Sequence, residues 1–150
     1  MNLNIVSTDS RNNDFIGLIE LLDNDLGERY GALQKQYNSY NNVDYINEVV
    51  IIYKDGMAAA CGAYKEHGTD TVELKRIFVL KEQRNQGLAK LIVQELEKLA
   101  KSKGYRYALL ETGIKQHEAI NLYKNCGYSL IPNYEPYVGN TNSICMKKVL

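Results

Sequence analysis

The stretch from Thr71 to Ser102 constrains this chain more than any other. Thr71 to Leu80 reads as a long strand, with Val72, Leu74, Ile77, Phe78 and Val79 supplying apolar weight. A short polar loop follows, and from about Gln86 to Ser102 apolar residues recur at helical spacing. Leu88, Leu91, Ile92, Leu96 and Leu99 form a wide apolar face, with Lys90, Glu95, Lys98 and Lys101 outside it. Glu97 and Lys101 make a favourable i,i+4 pair, and Gly104 sits where a left-handed C-terminal cap belongs.

The flanking segments fill in the fold. Leu3 to Val6 reads as a short first strand. Asn12, Asn13 or Asp14 can cap a helix whose apolar face is Phe15, Ile16, Ile19 and Leu22. Leu26 to Gly31 breaks that pattern, and a second, Tyr-rich helix is expected within Ala32 to Ile46. Glu48 to Tyr53 and Met57 to Tyr64 read as strands joined at Asp55-Gly56, a hairpin signal, with another turn at Gly68. Tyr105 to Glu111 is a further strand, and Glu118 to Asn125 a short helix ending at Gly127. Tyr128 to Ile131 and Ser143 to Lys147 close the chain as strands around a loop containing Pro and Tyr. Antiparallel strands followed by strand–helix–strand–helix–strand predict an α/β fold with a mixed sheet flanked by helices. No repeat or linker divides residues 1–150, so one domain is expected.

Composition excludes several function classes. Lys plus Arg number 18 and Asp plus Glu 18, so the net charge is zero, which argues against a general nucleic-acid binder. No run approaches the apolar length of a membrane span, and the opening Met1-Asn2-Leu3-Asn4 lacks the regions of a signal peptide. Cys61, Cys126 and Cys145 form no C-x-x-C pair, and His67 and His117 lie too far apart for a zinc motif. The expectation is a cytoplasmic protein without metal, disulfide framework or membrane partner. Twelve Tyr against two Phe and no Trp fit part-exposed core rings or a pocket lined by phenols.

Chemistry concentrates after the long strand. Arg84-x-x-Gly87-x-Ala89 lies where the helix begins. Unpaired N–H groups and the helix dipole make such a start an anion site. Gly87 and Ala89 let a bulky anion such as pyrophosphate approach closely, and Arg84 adds a fixed positive charge. Neither a P-loop nor a dinucleotide fingerprint is present. Further along stands Ala119-Ile120-Asn121-Leu122-Tyr123-Lys124-Asn125-Cys126-Gly127-Tyr128.

These two motifs, in this order and within these elements, resemble the GNAT family of acetyl-CoA-dependent N-acetyltransferases. The likeness runs from about Val49 to the C-terminus. It implies a splayed sheet of the acyl-CoA N-acyltransferase type, with acetyl-CoA as co-substrate. Backbone groups of Ile77, Phe78 and Val79 would bind the pantetheine arm. Arg84, Asn85, Gln86, Gly87, Leu88, Ala89 and Lys90 would receive the pyrophosphate. Where the family often carries Asn, seven residues before Tyr123, this chain has Gln116, whose longer side chain can still reach the cofactor.

The resemblance makes Tyr123 the group that serves the departing thiolate. Glu73 takes the place of the family's common glutamate base, directly or through water, with Glu111 as competitor and Lys75 and Arg76 as expected ion-pair partners. An acceptor pocket is implied between Leu26–Gly31 and Pro132–Asn140, carrying Arg29, Tyr30, Tyr134 and Tyr137. A lone Arg among tyrosines suits an acceptor with a carboxylate and an apolar body. The expected reaction is direct acetyl transfer to a primary amine, favoured as a small molecule, and a homodimer is left open. The alternatives are a protein N-acetyltransferase and a non-catalytic module that only holds CoA.

Overall fold

A computed structural model of the chain describes residues 2–30, 46 and 48–150, with the side chains of residues 27–30 outside that description. The helix expected within Ala32 to Ile46 therefore lies outside the described residues, apart from Ile46 itself. In chain order the elements are β1 (Leu3–Thr8), α1 (Asn13–Tyr30), β2 (Glu48–Lys54), β3 (Met57–Gly68), β4 (Thr71–Val79), a single 3-10 turn (Lys81–Gln83), α2 (Leu88–Ser102), β5 (Tyr107–Gly113), α3 (His117–Asn125), β6 (Ser129–Ile131) and β7 (Ser143–Val149).

The strands form one sheet in the order β1-β2-β3-β4-β5-β7-β6. Pairing is antiparallel throughout except between β4 and β5, which α2 connects as a parallel crossover. The mixed α/β sheet is thus the one expected.

Each face of the sheet carries its own core. On one side α2 packs Leu88, Ile92, Val93 and Leu96 against Val50, Val72, Leu74 and Leu110, with Tyr123 and Tyr128 beside them. Gly62 makes that contact close. A side chain there would meet Ile92, Leu96 and Ile77, so β3 offers bare backbone where α2 crosses. On the other side α1 packs Phe15, Leu18, Ile19 and Leu22 against Val49, Ile51, Cys61 and Phe78.

Helix α1 corrects one expectation. Asn12 caps it, accepting the N–H groups of Asp14 and Phe15 at 2.9 and 3.1 Å. The helix then runs unbroken to Tyr30, across the described part of the interruption predicted at Leu26–Gly31. Leu18, Leu22 and Leu26 continue its apolar stripe at i,i+4 spacing, and that packing outweighs the low helix propensity of Gly27. Among the described residues no helix is long and apolar enough to cross a membrane.

Candidate active site

Strands β4 and β5 separate partway along their length. They pair from Thr71↔Tyr107 to Leu74↔Leu110, yet β4 continues to Val79 and β5 to Gly113. The sheet is therefore splayed, and the facing backbone edges beyond Leu74 and Leu110 are left to other partners.

A bulge in β4 decides which side chains face the gap. Its pairing to β3 shifts between Cys61↔Phe78 and Ala63↔Lys75, and Arg76 takes a left-handed φ of 59°. Val72, Leu74, Ile77 and Val79 pack with the α2 core, whereas Phe78 packs with α1. Lys75 and Arg76, though consecutive, both lie on the α1 side. Asp23 of α1 holds the bulge, its Oδ1 accepting Arg76 Nη1 at 2.6 Å. Arg76 thus pairs with α1 rather than with Glu73, correcting that expectation.

Where the strands part lies a cavity of about 100 Å³. Glu73, Lys75 and Arg76 of β4 line it opposite Glu111, Thr112 and Gly113 of β5, with Leu22, Leu26, Tyr123 and Tyr137 closing it. Glu73 is 3% exposed. It accepts the Tyr134 hydroxyl at 2.7 Å and lies 3.4 Å from Lys75 Nζ and 3.8 Å from Lys65 Nζ. Burial lowers the buried Lys75 ammonium's pKa, against the attraction of Glu73. Burial pushes the Glu111 carboxyl up to about 7, opposed by the Ser143 hydroxyl, which donates to it at 2.7 Å, and by the charge of Lys75.

The loop between β6 and β7 supplies one wall. Tyr134 meets Tyr137 edge-on at 5.6 Å and His67 at 5.0 Å, and Tyr137 is buried. Tyr137 touches the cavity itself, while Tyr134 acts from behind Glu73. Arg29 and Tyr30 end α1, and their side chains lie outside the described residues.

A second cavity of about 500 Å³ adjoins the first. Its lining includes Ile77, Phe78, Val79, Arg84, Asn85, Gly87, Leu88, Ala89, Lys90 and Gln116. Of the expected cofactor residues, Gln86 stands apart, its side chain accepting Lys54 Nζ at 2.5 Å. Helix α2 starts at Leu88 rather than Gln86, so Arg84 and Gly87 precede its first turn. Asn85 and Gly87 adopt φ of 64° and 80°, turning the chain sharply into the helix. Neither a capping side chain nor an acidic residue occupies this helix start, so its N–H groups and dipole keep their positive field. Arg84 donates Nε to the Val79 carbonyl at 3.0 Å, lies over Phe78 at 5.5 Å and approaches Asp25 at 3.9 Å.

Gln116 and Tyr123 line both cavities. Gln116 Oε1 accepts Thr112 Oγ1 at 2.9 Å and Gly113 N–H at 3.0 Å, fixing the turn between β5 and α3. Tyr123 is 8% exposed, and burial pushes its phenol above the ordinary range, so it stays protonated at neutral pH. Burial likewise raises the Cys126 thiol, away from the reactive thiolate.

Sequence reasoning missed Asp23, Asp25, Thr112 and Ser143, which fix the charged groups. Each is an ordinary polar residue in its own segment, and no sequence spacing links it to the strand it serves.

Comparison with known proteins agrees with this architecture. Residues 15–128 match the sequence model of the Acetyltransferase (GNAT) family, and the chain belongs to that family of N-acetyltransferases. An IAA acetyltransferase of Azospirillum brasilense is 29% identical over 144 residues, covering 90% of each chain. A Xenopus tropicalis relative named as an N-acetyltransferase is 34% identical over 97 residues, 64% of this chain but 47% of its own length. The chain thus spans about half of that relative. Among solved structures, a GNAT family acetyltransferase of Elizabethkingia anophelis with acetyl-CoA bound superposes with a TM-score of 0.72 at 19% identity, covering 99% of both chains.

Proposed function

We propose that the chain, as one catalytic domain spanning residues 1–150, transfers the acetyl group of acetyl-CoA directly to a primary amine of a small molecule. One observation carries this reading: a large cavity at an uncapped helix start and a small cavity with two carboxylates meet at Tyr123. The Elizabethkingia relative holds acetyl-CoA, and the residues here fit the same group. Arg84 and the backbone from Asn85 to Lys90 receive the pyrophosphate, while the open edge at Ile77, Phe78 and Val79 meets the pantetheine amides. Gln116, at the turn before α3, lines the cofactor cavity.

Acetyl-CoA supplies the thioester; the chain supplies position and proton transfer. The amine enters between Glu73 and Glu111 beneath Tyr137. Glu73, the strand glutamate expected as base, already accepts Tyr134 and neighbours two ammonium groups, and it orders the amine or a water beside it. Glu111 takes the proton, because its pKa of about 7 suits a base working at neutral pH. A backbone N–H near Val79 stabilises the oxyanion as nitrogen bonds to carbon, and Tyr123 protonates the sulfur as the carbon–sulfur bond breaks. No metal enters the scheme. Tyr134 holds Glu73 from behind the recess, and Arg29 and Tyr30, at the end of α1, remain the acceptor-side candidates.

The recess of about 100 Å³ takes a small head group, which favours a free amine over a peptide segment. Balanced charge and three free cysteines support a cytoplasmic setting. Thermal melting with acetyl-CoA tests the reading. A concentration-dependent rise in Tm, then release of free thiol with amines, is expected. An unchanged Tm at saturating acetyl-CoA overturns it.

A further inference from the structure

The small cavity holds more charge than acetylation of a plain amine requires. Two carboxylates would be enough to seat and deprotonate the nitrogen. Yet Lys75 and Arg76 line the same recess, and both are buried, with side chains 3% and 8% exposed. With Lys75 beside Glu73 and Arg76 held by Asp23, the recess presents both signs of charge side by side, which suits a dipolar head group better than a bare cation or a polyamine. The β4 bulge is what brings Arg76 to this side. In a regular strand the residue after Lys75 would face α2.

Arg76 is also incompletely used. Asp23 takes Nη1 and fixes the guanidinium from the α1 side, whereas Nε is buried and has no hydrogen-bond partner among the described residues. A guanidinium is a fork of donors matched to a carboxylate, and an arginine held through one nitrogen in the wall of the recess keeps further donors for a second.

We propose that the acceptor is an amino-acid-like zwitterion, its carboxylate received by Arg76 and its amine seated between Glu73 and Glu111. This rests on the acetyltransferase reading above and narrows its substrate class. Opposite charges of the acceptor then meet opposite charges of the recess, and a cavity of about 100 Å³ admits the head group while any side chain extends past Tyr137. Glu111 takes one proton from the ammonium, the freed amine bonds to the acetyl carbon, the carbon–sulfur bond breaks as Tyr123 gives its proton to sulfur, and the nitrogen's second proton restores Tyr123. The products are an N-acetyl amino acid and free CoA.

The experiment compares matched acceptors with acetyl-CoA held saturating: free amino acids, their methyl esters, the corresponding decarboxylated amines, a polyamine and short peptides. At least one amino acid should exceed its own ester and amine by tenfold or more in kcat/KM. Arg76→Gln should lower the amino acid's kcat/KM at least tenfold more than the amine's, chiefly through KM, and Arg76→Lys should restore part of the difference. Because Arg76→Gln also loosens the bulge, its Tm is read with and without acetyl-CoA. A folded variant that loses both acceptors equally assigns Arg76 a structural role and overturns the proposal.

A wild-type enzyme that prefers the decarboxylated amine, the polyamine or the peptide overturns it too, while leaving acetyl transfer intact. Acetyl-CoA binding without turnover of any amine overturns both readings.

Discussion

The cleft beside residues 84–90 and the recess between Glu73 and Glu111 differ in how they are built. The cleft comes from one continuous segment: a strand end, a left-handed turn at Asn85 and Gly87, and an uncapped helix start. Its polar groups are largely the backbone N–H groups of the helix start, so its field depends on conformation more than on any single side chain. The recess draws on α1, β4, β5, α3 and the β6–β7 loop, and its groups are charged side chains held by distant partners. A backbone site tolerates side-chain loss, whereas a site of coupled buried charges does not.

Three substitutions can break or sharpen that contrast. Tyr123→Phe, at the junction, should lower kcat by about 100-fold or more while acetyl-CoA affinity changes little. Equal turnover by the variant would remove Tyr123 from the chemistry. Glu111→Gln should cost about 100-fold at pH 8 and abolish the rise in rate that wild type shows as pH passes through about 7.

The same variant carries a sign in stability. In the folded chain the Glu111 carboxyl keeps its proton between the ordinary value of 4.5 and about 7, where the unfolded chain has lost it. The folded state binds more protons across that window, so this group's contribution falls as pH rises through it. Glu111→Gln should therefore gain in Tm relative to wild type on going from pH 4.5 to pH 8, and a constant difference would contradict the raised pKa.

Arg84→Ala should have the smallest effect, weakening acetyl-CoA by about tenfold with kcat at saturation nearly unchanged, since the helix start remains. A loss as large as that of Tyr123→Phe would show that the cleft leans on its arginine rather than its backbone. Calorimetric titration with acetyl-CoA separates the two.

Much of the cleft was legible in the sequence, because helical periodicity, Arg84, Gly87 and Ala89 all fall within a few residues of one another. The succession of strands and helices around it was nearly as legible, though not their order in the sheet. The recess was half legible: the family resemblance pointed to Glu73, Tyr134 and Tyr137, with Glu111 as competing base, but not to the contacts that hold them together. Arg76 shows why. Strand alternation sends it to the α2 face, and only the bulge, pinned by Asp23 from α1, returns it to the charged side. Leu26 shows the converse, where a local break signal yields to the buried stripe of α1.

By itself the sequence determined what depends on neighbours along the chain: the mixed sheet, a helix start free of acidic residues after Arg84 and Gly87, and the tyrosine of α3. Tertiary structure alone decided where β4 and β5 part, which way Lys75 and Arg76 face, and that burial raises Glu111 toward neutrality. Those outcomes depend on desolvation and on contacts between residues far apart in sequence, which no local pattern encodes.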